Sequence, residues 1–392
     1  MSTKLQNLQL GLDLTSVFIG VTQTPLFTAF SAYNQAVGAD KPKAYAKFVK
    51  EIYEGGGDLY KLVLRLVGED ENVFVKAKAR KKDVLDCVEQ SVLRELGVFS
   101  AFAELSAKDF AEDMQVQENE IPAFATSFGD LNQAYNQRLN GIEKYGYGVF
   151  SSYPMFRLSD DKNIEPIVSA DKIGMDSFIG YENERAQVIA NTRAFIEGRP
   201  AANTLLCGDA GTGKSSTVKA VANAFFGEGV RLIELRKDQL ALLPYVMGKI
   251  IGNPLKFIIF IDDLAFNKSD DNFSMLKAAL EGSASAKAEN AVIYATSNRR
   301  HIIKETFADR DGDDVHRNDT MQELLSLSER FGLVILFSKP NKSLYLEIVY
   351  ELAKKHGVQI PESELAVKAE AFALKKGNRS ARCAEQFIDS LL

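Results

Sequence analysis

Thr204-Leu205-Leu206-Cys207-Gly208-Asp209-Ala210-Gly211-Thr212-Gly213-Lys214-Ser215 is the stretch that decides the fold. From Gly208 it fits the pattern of a glycine, four residues, then Gly-Lys-Ser, which marks a phosphate-binding P-loop. Four apolar-leaning residues before it read as a short strand, and the residues from Ser215 onward read as a helix. That context gives the motif its meaning. Glycines let backbone N–H groups turn inward around phosphate oxygens, and the start of the helix adds favourable partial charge. Lys214 then reaches the β- and γ-phosphates, and the Ser215 hydroxyl ligates Mg²⁺.

Outward from the loop, helix and strand signals alternate. Residues 183–197 and 215–226 carry helical spacing, a helix begins at Asp238, and residues 273–280 form another. Residues 231–235, 257–261, 291–296 and 333–337 read as strands. The run Phe257-Ile258-Ile259-Phe260-Ile261 is uninterruptedly apolar, as a strand buried on both faces of a parallel sheet must be. Strands alternating with helices predict an α/β sheet with right-handed crossovers. Pro340 ends the pattern, and residues 342–392 read as three helices with breaks near 357–361 and at Gly377-Asn378.

Two polar strand ends complete the chemistry. Asp262 follows the apolar strand and is the candidate to hold Mg²⁺. Asp263 is the candidate to orient or deprotonate an attacking water. After the next strand comes Thr296-Ser297-Asn298, and Asn298 is the residue chosen to hold that water or touch the γ-phosphate. Arg299-Arg300-His301 forms a short basic cluster, expected to be a solvated face.

The first 150 residues differ. Residues 44–53 place Tyr45, Phe48, Val49 and Ile52 on one helical face. Residues 82–96 do the same with Val84, Leu85, Val88, Val92, Leu93 and Leu96. Gly55-Gly56-Gly57 breaks the helical segments. No chemical motif stands out, so a helical packing or partner-binding region is expected. Turn-rich Ser151-Ser152-Tyr153-Pro154 and Asp160-Asp161-Lys162-Asn163 suggest a linker. The expected domains are therefore 1–150 (mostly helical), 151–175 (linker), 176–340 (nucleotide-binding) and 341–392 (helical lid).

Bulk properties narrow the rest. The chain has 392 residues, 46% hydrophobic and 26% charged, with a formal net charge of -6. That mild acidity disfavours whole-surface nucleic-acid binding. Three cysteines, Cys87, Cys207 and Cys383, and three histidines are scattered without metal-ligand spacing, so neither zinc nor a disulfide framework is expected. No cationic start precedes an apolar block, and the longest apolar runs fall far short of a membrane helix. A cytoplasmic protein is the expectation, with no membrane partner.

Taken in order, the P-loop, the Asp262-Asp263 strand end and Asn298 resemble an AAA+ ATPase. Phe178-Ile179-Gly180-Tyr181-Glu182, Leu276-Lys277-Ala278-Ala279-Leu280-Glu281-Gly282, Tyr294-Ala295-Thr296-Ser297-Asn298-Arg299-Arg300-His301 and Ser326-Leu327-Ser328-Glu329-Arg330-Phe331-Gly332 resemble domain-of-unknown-function family 815, bacterial AAA+ proteins, over roughly residues 155–392. That family shows Asp where this chain has Glu329. The resemblance implies a P-loop AAA+ parallel sheet with flanking helices, a small C-terminal helical lid and ATP with Mg²⁺ as cofactors. It implies Ile179 and Gly180 at the base, Gly208, Asp209, Ala210, Gly211, Thr212, Gly213, Lys214, Ser215 and Ser216 around the phosphates, and Ser215 with Asp262 at the metal. It also implies Arg330 as an arginine finger acting on a neighbouring subunit, hence a homo-oligomer, and a lid arginine on the γ-phosphate. Arg379 and Arg382 both fit that last role, with Arg382 preferred. The expected catalytic set is thus Lys214, Asp262, Asp263, Asn298, Arg330 and Arg382.

Two features are set aside. Tyr245-Val246-Met247-Gly248 is similar to an aromatic pore loop but carries one extra residue. Asp309-Arg310-Asp311-Gly312-Asp313-Asp314 has Asp314 where a calcium loop needs its glycine. Three functions are therefore weighed: an ATPase acting on an unknown client bound by the N-terminal region, a nucleotide-gated switch with little turnover, and a loader acting on nucleic acid. The ATPase is preferred.

Overall fold

The computed structural model describes residues 3–169, 173–264, 276, 280, 288–298 and 330–392. The chain divides into two compact units, one of residues 1–152 with 252–254, the other of residues 153–251 with 255–392.

The first unit is helical. Its helices are α1 (Thr3–Asp13), α2 (Ile19–Thr22), α3 (Pro25–Gln35), α4 (Lys41–Glu54), α5 (Leu59–Glu69), α6 (Val73–Ala79), α7 (Asp86–Ala103), α8 (Ala107–Met114), α9 (Leu131–Asn140) and α10 (Ile142–Tyr145). The core is aromatic. Phe30 meets Phe102 edge-on at 4.8 Å, Phe27 meets Phe99 at 5.5 Å, and Phe110 packs on Tyr33, Tyr45 and Phe48 at 5.1 Å each. Such edge-to-face and tilted ring contacts add to the large area each ring buries. The expected face of residues 44–53 is buried as drawn, with Tyr45, Phe48, Val49 and Ile52 all in the core.

The face drawn for residues 82–96 needs correction. Its helix starts only at Asp86, and Leu85 and Leu93 are 72% and 65% exposed. The buried stripe is Val92, Glu95, Leu96, Phe99, Phe102 and Ala103. Glu95 hides it, because a charged residue sits on the core side. Its carboxylate is fully buried and accepts from Ser16 N at 2.9 Å, Ser16 Oγ at 2.9 Å, Val17 N at 3.0 Å and Phe18 N at 3.0 Å. It therefore holds together the chain leading into α2.

The second unit has the α/β AAA+-like architecture expected. Its strands are β1 (Met155–Leu158), β2 (Ile164–Pro166), β3 (Thr204–Gly208), β4 (Val230–Leu235), β5 (Lys256–Ile261), β6 (Ala291–Ser297) and β7 (Leu333–Phe337). They lie in the order β2-β1-β4-β5-β6-β3-β7. Among these described strands, only β2 runs antiparallel to its neighbour. Helices α11 (Glu182–Ile196), α12 (Lys214–Ala224) and α13 (Leu243–Ile250) belong to this unit, as does the C-terminal bundle of α14 (Lys342–Lys355), α15 (Glu362–Lys376) and α16 (Ala381–Asp389). The residues read as linker hold β1 and β2, joined through a turn with Lys162 at φ 63. Strands of four and three residues at a sheet edge leave too short a pattern to read. Tyr245 lies within α13, not in a loop. Among the described residues, no helix is long and apolar enough to cross a membrane. Cys207 and Cys383 are buried, Cys87 is exposed.

Strands β3 and β7 stay paired to their last residues, Gly208 opposite Phe337. Gly208 has φ +136, and a β-carbon there would stand 2.0 Å from Phe337 O. Both buried features bear on stability. Glu95→Ala leaves several buried N–H groups without an acceptor and is expected to lower stability by about 3–5 kcal/mol, measured by urea unfolding of the full chain. Gly208→Ala meets both a forbidden φ and a backbone collision, with an expected loss of about 3 kcal/mol or more, measured as a fall in thermal midpoint.

Candidate functional site

The loop leaves β3 at Gly208 and returns as α12 at Lys214. Between them Gly211 and Gly213 have φ +76 and +89, which only glycine adopts without strain. Lys214 is 4% exposed. Its ammonium donates to Gly208 O at 3.2 Å, Asp209 O at 2.6 Å and Asn298 Oδ1 at 2.9 Å. Burial lowers its pKa, opposed by the charge of Asp209 and other nearby groups. The Asp209 carboxylate accepts from Lys339 N at 2.7 Å, and Asp209 N donates to Phe337 O at 3.2 Å. This loop is therefore fastened to the end of β7.

The acids arrive from β5. Parallel pairing sets Ile261, the last residue of β5, opposite Ala295, so Asp262 just beyond β5 meets Thr296 near the end of β6. Asp262 Oδ1 accepts from Ser215 Oγ at 2.6 Å, Thr296 Oγ1 at 2.5 Å and Asp263 N at 3.1 Å. Asp263 has φ 53 and accepts from Asn298 Nδ2 at 2.7 Å. Asn298 therefore joins Lys214 on one side to Asp263 on the other. Sequence reading gives Thr296 no role of its own. Its position one step beyond Ala295, opposite the first acid, is the signal that could find it.

These groups face a cavity of about 410 Å³. Ile179 and residues 210–216 line it, with Lys214, Asp262, Asp263 and Asn298. Gly180, Gly208 and Asp209 do not line it but shape the backbone. A β-carbon on Gly180 would stand 2.5 Å from Leu344 Cδ1 on α14. The C-terminal bundle contributes Ile348 and Leu352 from α14 and Arg382 and Glu385 from α16. Arg382 N donates to Gly211 O at 3.3 Å. Arg379 points elsewhere, gripping Glu370 at 2.9 and 2.6 Å. Burial raises the pKa of Glu385, aided by Asp389. Phe178 and Arg185 also line the cavity, and sequence reading assigns neither side chain a part.

Arg330 lies outside this cavity. It precedes β7 (Leu333–Phe337), whose C-terminal end pairs with Gly208 of the loop. The Arg299–His301 cluster and the acidic 309–314 segment fall outside the described residues. Whether the site suits Mg²⁺ can be judged from its donors. Ser215 Oγ and Asp262 are hard oxygen ligands at 2.6 Å from each other, the kind Mg²⁺ selects. Among the described residues, no group of three or more His, Cys, Asp or Glu could hold a metal. An ion here would draw its remaining ligands from phosphate and water, as Mg²⁺ commonly does.

No curated protein matches the chain. Among solved structures, the Thermotoga maritima RuvB Holliday junction branch migration motor is similar at 15% identity and TM-score 0.32, over 56% of this chain and 72% of that one. A DNA replication initiation factor gives 17% and 0.37, over 56% of this chain and 63% of that one. Likeness of this extent says nothing about what the present chain binds. The sequence profile described as "Protein of unknown function (DUF815)" matches residues 151–392, more than half of the chain. The chain belongs to the DUF815 family.

Proposed function

We propose that the protein is an AAA+-type, Mg²⁺-dependent ATPase that couples ATP binding and hydrolysis to movement on a client. The observation that carries this reading is the hydrogen-bonded run from Lys214 through Asn298 to Asp263, set beside Ser215 and Asp262 in one cavity. A P-loop alone binds phosphate. Here the loop lysine, a metal-type acid and a second acid are linked through neighbouring side chains.

The roles follow from chemistry. Lys214 exchanges the carbonyls of Gly208 and Asp209 for phosphate oxygens, which its buried charge favours. Ser215 and Asp262 would hold Mg²⁺, which when bound neutralises charge developing on the phosphates. Asp263 takes or orients the proton of the attacking water, with Asn298 fixing its carboxylate. Arg382 meets the terminal phosphate from the lid. Ile179 and Gly180 border the base, and the backbone from Gly208 to Ser216 surrounds the phosphates. Arg330, which does not line its own chain's cavity, serves a neighbour's, so the active form is a homo-oligomer. Residues 1–150 bind the client, residues 176–340 hold the nucleotide, and residues 341–392 form the lid. Catalysis of this kind is positioning plus electrostatics.

A slow-turnover nucleotide switch is the second reading. The tie between Asp263 and Asn298 favours it, because the amide engages the carboxylate that would otherwise meet the attacking water. Rapid turnover by the wild-type protein removes it.

Calorimetric titration and phosphate-release assays test the first reading. Lys214→Ala should weaken ATP binding by roughly a hundredfold, while Asp263→Asn should keep binding and slow phosphate release by roughly a hundredfold. Unchanged release in Asp263→Asn would remove that residue from the chemistry. Arg330→Ala and Lys214→Ala proteins should each be inactive, and mixing them should restore part of the activity. No recovery on mixing overturns the in-trans assignment.

A further inference from the structure

Arg185 sits in the first turn of α11 and is 7% exposed. Its guanidinium stands over the Phe178 ring, 5.2 Å from the centroid, and both residues line the nucleotide cavity. Among the described residues its ion pair is with Glu182 at 3.4 Å, and that carboxylate's side chain is 76% exposed. A contact so long and so well solvated compensates little for burying a charge. Burial accordingly holds the guanidinium below its ordinary pKa, against the pull of Glu182 and Glu184. A guanidinium carries five N–H donors and no acceptor. One contact to Glu182 leaves donor capacity that the described residues do not use.

The cavity is divided by chemistry. Phosphate chemistry is covered by Lys214, the loop amides and Arg382. Phe178, Ile179, Ile348 and Leu352 supply apolar lining suited to a flat ring. Arg185 projects from beside the Phe178-Ile179 segment, so it belongs to this second part.

We propose that Arg185 reads the base of the bound nucleotide, donating to ring acceptors of a purine while Phe178 holds the guanidinium in place. This rests on the nucleotide reading of the same cavity. Purines present acceptors such as N7 that a donor fork can meet. The ring beside it gives the guanidinium a fixed neighbour, and lysine would lack the planar fork.

The test is calorimetry with Mg²⁺ on the full chain, comparing ATP with inorganic tripolyphosphate, which has no base. Arg185→Met should weaken ATP binding by about tenfold or more and leave tripolyphosphate binding unchanged. Arg185→Lys, which keeps the buried charge, should lose part of the ATP affinity and none of the tripolyphosphate affinity. It gives the same readout if Arg185→Met does not fold. Equal losses for both ligands would make Arg185 a phosphate-binding or structural residue and overturn the proposal. Unchanged ATP binding in the variants would also overturn it while leaving the nucleotide site intact. Wild-type protein that binds neither ligand would instead sink the nucleotide reading itself.

Discussion

Phe337 O occupies the space that a side chain on residue 208 would need. Everything at the loop depends on that close approach. Because β3 and β7 remain paired to Gly208 and Phe337, the chain turns away from the sheet at one fixed point. Asp209 N and its carboxylate then bind Phe337 O and Lys339 N. Between those two positions, Tyr181 OH donates to Ser338 O at 2.7 Å, so the segment carrying Ile179 and Gly180 is fastened to the same strand end. The last strand of the sheet is thus a shared anchor for two walls of the cavity.

On the other side of β3, the register between β5 and β6 does comparable work. It sets the end of β5 two residues short of the end of β6, and Asp262 finds Thr296 beside it. Three donors converge on a single Asp262 oxygen. A carboxylate held this way keeps its orientation without help from a ligand. Asn298 is more adaptable, because its amide spans a cation and an anion and can release either.

Much of this is legible in the residues. The P-loop can be read because its glycines, lysine and serine have few alternative uses at that spacing. The run from Phe257 to Ile261 can be read because a strand buried on both faces tolerates no polar residue. Sequence reading prefers Arg382 over Arg379, and Arg382 is the one lining the cavity. Other parts are hidden for physical reasons. β1 and β2 are too short to show a period. The buried face of α7 runs through Glu95, a residue type that almost never enters a core unless satisfied. Arg185 and Thr296 gain meaning only from the partners the fold brings to them, and no local pattern reports such pairings.

The contact between Arg382 N and Gly211 O joins lid to loop through main-chain atoms alone. Replacing the arginine would alter the charge in the cavity and leave that hydrogen bond in place. Charge in the cavity and linkage to the loop therefore reside in one residue yet are separable: the side chain is free to vary, while the tether is written in backbone geometry. A β-carbon on Gly211 would crowd Ser380 Oγ at 3.0 Å, so the glycine on the loop side is the more constrained partner. Variation among relatives should accordingly be freer at position 382 than at position 211.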